Sequence, residues 1–158
     1  MLAEQITDVR TFMEKLLIGN SFDTFLVDDI TITTYNTFHI DGHIRKEFYT
    51  EDELAELPDE TFSEWAKLKP FCFSVIKGKK TPLQFKMIFA LDRQRITALL
   101  ASCDTSLTQE DIHALFINIR YEQGILSYVT GCSLKIFTTD KSLEQAFDRY
   151  IQSFIDSM

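Results

Sequence analysis

The stretch Leu83-Gln84-Phe85-Lys86-Met87-Ile88-Phe89-Ala90-Leu91, followed by Asp92, decides the fold class. Every second residue is apolar, which predicts a half-buried strand because successive side chains of a strand point to opposite faces. Asp92 predicts the N-cap of a helix, since its side chain can accept hydrogen bonds from free backbone N–H groups. We expect an α+β fold, with amphipathic helices packed on a mainly antiparallel sheet.

Helical spacing of apolar residues recurs in three places. A helix after Asp92 would place Ile96, Leu99, Leu100 and Cys103 on one face. Thr7 or Asp8 predicts the start of the first helix, and Thr139 or Asp140 that of the last. Their apolar stripes are Val9, Phe12, Met13, Leu16 and Leu17 in the first helix, and Leu143, Phe147, Tyr150, Ile151, Phe154 and Met158 in the last.

The segment before Leu83 contains signals for strands and for two short helices. Residues 22–49 predict strands, with a turn at Asp28-Asp29 and a hairpin turn at Asp41-Gly42. Thr50 predicts the cap of a helix that ends near Leu57, and Asp59 the cap of a second helix that runs to Leu68. The pair Lys69-Pro70 then indicates the start of a strand over residues 71–77.

The segment after residue 103 predicts one short helix and three strands. Thr108 and Asp111 have the spacing of a capping box, so a helix is expected from there to about Leu115. The strands are predicted at residues 116–121, 125–130 and 133–137, with turns at Glu122-Gln123-Gly124 and Thr130-Gly131.

Composition excludes several classes of protein. The chain has 158 residues, of which 45% are hydrophobic and 25% charged, as in an ordinary globular domain rather than a disordered one. No run approaches the roughly 18 apolar residues of a membrane helix, and residues 1–5 do not resemble a signal peptide. Three widely spaced cysteines do not indicate a disulfide framework. We expect a single-domain cytoplasmic protein that does not contact a membrane.

Two parts of the chain share a pattern of strand, capped helix and three strands. Asp8 aligns with Asp92 and Leu16 with Leu100, which predicts an internal duplication. The expected organisation is a first repeat over 1–49, a helical insert and hairpin start over 50–82, a second repeat over 83–138 and a C-terminal helix over 139–158.

A β-α-β-β-β unit used twice resembles the building block of the DNA sliding clamps. The stretch Phe116-Ile117-Asn118-Ile119-Arg120-Tyr121-Glu122-Gln123-Gly124-Ile125-Leu126-Ser127 is similar in rhythm to a clamp strand–turn–strand. The resemblance implies a clamp-like fold. It departs from the clamps in its first helix, which mixes Arg10 and Lys15 with acidic residues where a clamp presents basic helices to DNA.

The chain also resembles, over its whole length, a small bacterial family of uncharacterised proteins. The stretches Ile32-Thr33-Thr34-Tyr35-Asn36-Thr37-Phe38 and Lys69-Pro70-Phe71-Cys72-Phe73-Ser74 belong to this likeness. It implies no activity.

Charge is strongly segregated along the chain. The net charge is −8, yet the acidic segment, residues 47–64, has eight acidic residues and no basic one. The basic segment, residues 67–95, has eight basic residues against Asp92 alone. One interpretation is a basic surface for an anionic partner, and the other is mutual neutralisation of the two segments.

Six residues of the basic segment and its border are candidate ligand-binding residues. The aromatic ring of the single tryptophan could stack on a base, or it could anchor the insert to the core. The lysines could bind an anion such as phosphate. These candidates are Trp65, Lys67, Lys69, Lys77, Lys79 and Lys80.

Motifs for catalysis, metals and cofactors do not converge. On a two-residue turn at Asp41-Gly42, His39 and His43 would point to opposite faces, so no metal site is expected. Glycines are too scattered for a nucleotide loop, and no cofactor is expected. Cys132 lies in a predicted turn, with His113 as the one histidine left to act as its base.

We therefore expect a non-enzymatic binding or interaction module that uses residues 67–95 to contact another protein or nucleic acid. The negative net charge disfavours nucleic acid. Self-association as a structural protein is a further hypothesis. The alternative is a small hydrolase or transferase that uses His39, His43 or Cys132.

Overall fold

The computed structural model describes residues 1–158 and confirms the α+β class. The strands are β1 (Ala3–Ile6), β2 (Leu26–Thr33), β3 (Thr37–Asp41), β4 (Ser63–Glu64), β5 (Gln84–Ala90), β6 (Ile112–Glu122) and β7 (Ile125–Leu134). The α-helices are α1 (Val9–Leu17), α2 (Glu51–Glu56), α3 (Trp65–Ile76), α4 (Arg93–Ser102) and α5 (Ser142–Asp156). All strand pairs are antiparallel, in the order β1-β7-β6-β5-β2-β3, and β4 pairs with the start of β2.

The main core lies between one face of this sheet and the helices α1, α3, α4 and α5. Ile30, Met87, Ile119 and Tyr128 are register partners across four strands, and all four are buried in that core. The next residues along the same strands point to the other face, as alternation requires. There Thr31, Lys86, Arg120 and Ser127 are also register partners, and they remain half-buried or exposed.

Several predicted caps are confirmed. Asp8 accepts from the backbone N–H of Thr11 at 3.2 Å before α1, and Asp92 accepts from that of Arg95 at 3.0 Å before α4. Thr50 and Glu53 form a reciprocal capping box at α2. These bonds satisfy backbone donors that the first turn of a helix leaves free.

The strand predicted over residues 71–77 is wrong, because this segment is the second half of α3. Pro70 lies inside that helix and cannot donate to the carbonyl of the residue four positions earlier. Burial of Trp65 and Cys72 on one side of the helix outweighs this lost bond. The helix predicted from Asp59 to Leu68 is also wrong: α3 begins at Trp65, and Asp59 instead pairs with Arg93.

Both turns predicted within residues 22–49 are wrong. Asp28-Asp29 lies inside β2, where the register shifts between Val27 and Asp29 as in a β-bulge. The turn between β2 and β3 is at residues 34–36, and Asp41 is the last residue of β3. The glycine at position 42 serves a close backbone approach rather than a hairpin turn.

The end of the β content also differs from the prediction. The capping box at Thr108 and Asp111 is present, but it caps one 3₁₀ turn, Gln109–Asp111, after which β6 begins. β7 runs through Gly131 to Leu134, so residues 133–137 form no third strand.

Each proposed repeat therefore has two strands after its helix. The pairings also differ: β5 pairs with β6, whereas β1 pairs with β7 and not with β2. The duplication itself stays a prediction.

None of the helices is long and apolar enough to cross a membrane.

Candidate functional site

The structure divides the candidate cations of the basic segment into two groups. Lys69 Nζ donates to Asp23 Oδ1 at 2.6 Å and to the Gly19 carbonyl at 2.8 Å. Lys67 Nζ donates to the Tyr49 hydroxyl at 2.8 Å. Arg93 and Arg95 form ion pairs with Asp59 and Asp92. These four cations therefore already have partners within the chain.

Lys77, Lys79 and Lys80 form no ion pair and no side-chain hydrogen bond. They lie in the exposed loop between α3 and β5. This loop and the turn between β2 and β3 enclose the lysine cleft, defined here by residues 34–35, 75–81 and 83, with a volume of about 460 Å³. Tyr35 and Leu83 line it with 85% and 69% of their surface exposed, so it presents apolar surface beside free charge.

Trp65 is completely buried, so its ring cannot stack on a ligand. Its indole Nε1 donates to the carbonyl oxygen of Leu16 at 2.9 Å, and its ring lies 5.1 Å from that of Phe89. The alternative interpretation, an anchor between the insert and the core, is the one that this geometry supports.

The acidic segment does not neutralise the lysine cleft. One ion pair joins the acidic and basic segments, between Asp59 and Arg93 at 3.2 Å, and Glu60 accepts from the Arg93 backbone N–H at 2.9 Å. Glu51, Asp52 and Glu56 around α2 form no ion pair, as is also true of the three lysines of the cleft.

A second cleft, which the sequence did not indicate, lies at the end of the sheet near the start of α4. We name it the histidine cleft; it has a volume of about 290 Å³. It brings together two of the three histidines and four other charged residues. These are His43, Glu60, Arg93, Glu110, His113 and Lys135, above a floor that includes Leu26, Phe62 and Ala90.

His43 has a fixed orientation in this cleft. Its Nδ1 lies 2.5 Å from Asp41 Oδ1, and its ring packs edge-on against Phe62 with centroids 4.7 Å apart. Asp41 also accepts from the His43 backbone N–H and from Arg45, and these contacts hold the pKa of Asp41 below its usual range, with the backbone N–H of His43 as the largest cause. His39 is elsewhere: it contacts Asp29 at 2.6 Å and does not line the cleft.

Both irregularities of the sheet register lie beside the histidine cleft. One is at Asp28 in β2 and the other at His113 in β6. A bulge redirects a side chain relative to the regular alternation. Burial raises the pKa of Asp28, and His43 and His113 oppose that shift by their charge, which places all three groups in one electrostatic neighbourhood. Burial also raises the pKa of Glu60. No signal in the sequence joins residues 28, 43, 60 and 113.

Two of the three thiols have a raised pKa. Burial raises the pKa of Cys72 to about 12 and also raises that of Cys132. Cys132 has no hydrogen bond to a histidine. No group of three or more His, Cys, Asp or Glu side chains is arranged to hold a metal ion.

Comparison with known proteins assigns a family but no activity. The model of DUF5721, a family of unknown function, matches residues 15–158, and the chain belongs to this family. No curated protein and no solved structure matches the chain. The likeness to the sliding clamps therefore remains a resemblance of pattern.

Proposed function

We propose that this member of a family of unknown function is a non-enzymatic binding module whose lysine cleft receives an acidic segment of a protein. One observation carries the proposal: Lys77, Lys79 and Lys80 have no partner within the chain and line one cleft, whereas Lys67, Lys69, Arg93 and Arg95 are paired. Lys86 is also unpaired, but it is half-buried in β5 and does not line this cleft. Three like charges on one short loop repel each other, and an anionic partner relieves that repulsion.

The walls of the cleft favour a protein over nucleic acid. Val75, Ile76 and Leu83 offer apolar surface between the lysines and the exposed ring of Tyr35. A peptide with acidic and apolar side chains would complement both properties. A nucleic acid would gain charge contacts from the same lysines, but it carries a negative charge at every nucleotide and would meet more repulsion than a partly apolar peptide from a chain with net charge −8.

The acidic partner has two sources. A second copy of this chain carries unpaired Glu51, Asp52 and Glu56 beside Phe48, which is 84% exposed. A different protein could supply a segment of the same composition. Light scattering at low salt distinguishes them: a mass that rises with concentration in the wild type but not in Lys77→Ala/Lys79→Ala/Lys80→Ala indicates a second copy, and a constant monomer mass excludes it.

The test is a titration of labelled peptides, followed by fluorescence anisotropy. The probes are a peptide of glutamate and leucine, an oligoglutamate of equal charge and an oligothymidylate. The variant Lys77→Ala/Lys79→Ala/Lys80→Ala should bind the glutamate–leucine peptide about 10- to 100-fold more weakly, as expected for three exposed charge contacts. Its charge-matched control, Arg10→Ala/Lys15→Ala/Lys46→Ala, should bind like the wild type, because these exposed cations lie outside the cleft.

Two results would contradict the proposal. Equal binding by both triple variants would show that the lysine cleft is not the site. Tighter, lysine-dependent binding of oligothymidylate would make nucleic acid the ligand.

The second candidate is a small hydrolase or transferase, and the hydrogen bond between Asp41 and His43 favours it. A carboxylate that orients an imidazole leaves the other ring nitrogen available as a general base. However, no serine or cysteine lines the histidine cleft, and Thr61 is its one residue with a hydroxyl group. Hydrolysis of p-nitrophenyl esters that is lost in His43→Gln and retained in His39→Gln would favour this candidate.

A further inference from the structure

The histidine cleft combines features that a ligand site needs and that the proposed function does not use. It is concave, it lies where both sheet bulges occur, and two histidines distant in sequence meet there. β-Bulges are frequent beside binding and active sites because they redirect side chains.

We infer that the histidine cleft binds a small organic anion, an apolar body that carries one carboxylate. The geometry that carries this inference is the position of Lys135, Arg93 and two histidines around an apolar floor.

The groups that would bind the carboxylate are hydrogen-bond donors that have no partner, or only one partner, within the chain. Lys135 Nζ has no ion pair or hydrogen bond within the chain. The Arg93 guanidinium uses one nitrogen, at 3.2 Å from Asp59, and keeps its other donors. His43 uses Nδ1 toward Asp41, so its Nε2 remains free, and the ring of His113 has no hydrogen bond.

The two carboxylates of the cleft differ in their effect on an anionic ligand. The Glu60 carboxylate accepts a hydrogen bond from the Arg93 backbone N–H at 2.9 Å, which fixes its position beside Arg93. Glu110 is exposed, at the rim of the cleft, and its carboxylate has no partner. It is therefore the group that would repel an anionic ligand. With both glutamates ionised, their charges offset those of Arg93 and Lys135, so the preference for an anion comes from the free donors of these two cations and of the histidine rings rather than from a net positive charge.

The size and floor of the cleft define the rest of the ligand. Its volume of about 290 Å³ is at the lower end of the range for ligand sites, roughly 300–1,000 Å³, and admits only a small molecule. Leu26, Phe62 and Ala90 form a separate small apolar cluster on this side of the sheet. An apolar body would pack on that cluster while its carboxylate contacts the donors above.

The test uses benzoate as the probe and the amide resonances of the isotope-labelled full chain as the readout. Benzoate should shift the resonances of Gly42, Phe62, His113 and Lys135 in a saturable way. Benzamide, which has the same shape without the charge, should bind at least about tenfold more weakly, since a charged hydrogen bond contributes more than a neutral one.

Two variants should change benzoate affinity in opposite directions. Lys135→Ala should weaken it about three- to tenfold, and Glu110→Gln should strengthen it by a similar factor. Both side chains are exposed, so both variants should fold, and Lys15→Ala is the matched control with unchanged affinity.

Two outcomes would overturn the inference. One is the absence of saturable shifts at this cleft with benzoate. The other is equal affinity for benzoate and benzamide. The inference does not depend on the lysine cleft, so Lys77→Ala/Lys79→Ala/Lys80→Ala should leave benzoate affinity unchanged. A loss of benzoate affinity in that variant would place the benzoate site outside the histidine cleft.

Discussion

Gly42 lies so close to Val27 that a Cβ atom at position 42 would stand 1.7 Å from the Val27 carbonyl oxygen. The Gly42 backbone N–H also donates to the Asp28 carbonyl at 2.9 Å, next to the bulge of β2. No side chain can replace this glycine without moving the backbone. The contact sets where the chain leaves β3, and thereby where His43 enters the histidine cleft.

We expect Gly42→Ala to lower the free energy of unfolding by about 3 kcal/mol or more, at the upper end for overpacking because the clash is with backbone. Urea denaturation followed by circular dichroism measures this change. Gly131→Ala is the control: a Cβ atom there meets nothing within 4 Å, and the residue lies in β7. It should be neutral or stabilising by up to about 1 kcal/mol. Equal effects of the two substitutions would refute the close-contact explanation.

Asp28 carries a cost in the folded state at neutral pH. Burial is the largest cause of its raised pKa, and its side chain makes no hydrogen bond. A carboxyl whose folded pKa is above its unfolded value of about 3.9 begins to destabilise the fold as pH rises past the unfolded pKa, and the penalty is complete above the folded pKa. The penalty vanishes below the unfolded pKa, where both states are protonated.

Asp28→Asn should therefore raise the urea midpoint near neutral pH and leave it almost unchanged well below the unfolded pKa. Asp52→Asn, at an exposed position in the first turn of α2, is the control and should not raise the midpoint at either pH, because its carboxylate interacts favourably with the positive end of the helix dipole. A stabilisation by Asp28→Asn that is equal at both pH values would exclude the burial of charge as its cause.

Cys72 and Cys132 should react slowly in the folded protein. A raised pKa means less thiolate at a given pH, and the thiolate is the reactive form. Near neutral pH, Cys72 should not react measurably with a disulfide reagent, and Cys132 should react more slowly than a free peptide thiol. All three cysteines should react quickly in denaturant. Rapid labelling of Cys132 in the folded chain, assigned by mass spectrometry, would instead favour a nucleophilic role.

Trp65 should stabilise the fold without contributing to binding. Trp65→Phe removes the hydrogen bond to the Leu16 carbonyl and leaves a buried acceptor without its partner. The expected loss is about 1–3 kcal/mol of unfolding free energy. Phe137→Ala is the control and should stay within about 0.5 kcal/mol, since Phe137 is 92% exposed. Peptide affinity should not change in either variant, and a specific loss in Trp65→Phe would restore a binding role.

Local patterns were sufficient to predict the helices and strands whose periodicity matches their burial. β5 has the alternating apolar spacing of a strand, and α1 and α4 each have a helical apolar spacing together with a capping aspartate. Helix α3 could not be predicted in this way, because Pro70 and the apolar run after it also fit a strand. The outcome depends on contacts of Trp65 with residues far along the chain, which the segment itself does not reveal.

The two clefts differ in how far the sequence could indicate them. The cluster of Lys77, Lys79 and Lys80 is visible in the sequence, although its freedom from ion pairs is not. The histidine cleft has no sequence signature, because it depends on two bulges in strands 85 residues apart, counted from Asp28 to His113. The sequence shows a glycine at position 42, but glycine is required there by a contact with the distant Val27 backbone and not by a turn.

The most direct test of the central proposal is a map of the bound surface on the isotope-labelled chain. The glutamate–leucine peptide is titrated while amide resonances are recorded. If the peptide binds in the lysine cleft, the largest shifts should occur at Tyr35, Gly78 and Leu83, and these shifts should be lost in Lys77→Ala/Lys79→Ala/Lys80→Ala. Shifts confined to other surfaces, or shifts that persist in this variant, would contradict a binding site at the lysine cleft.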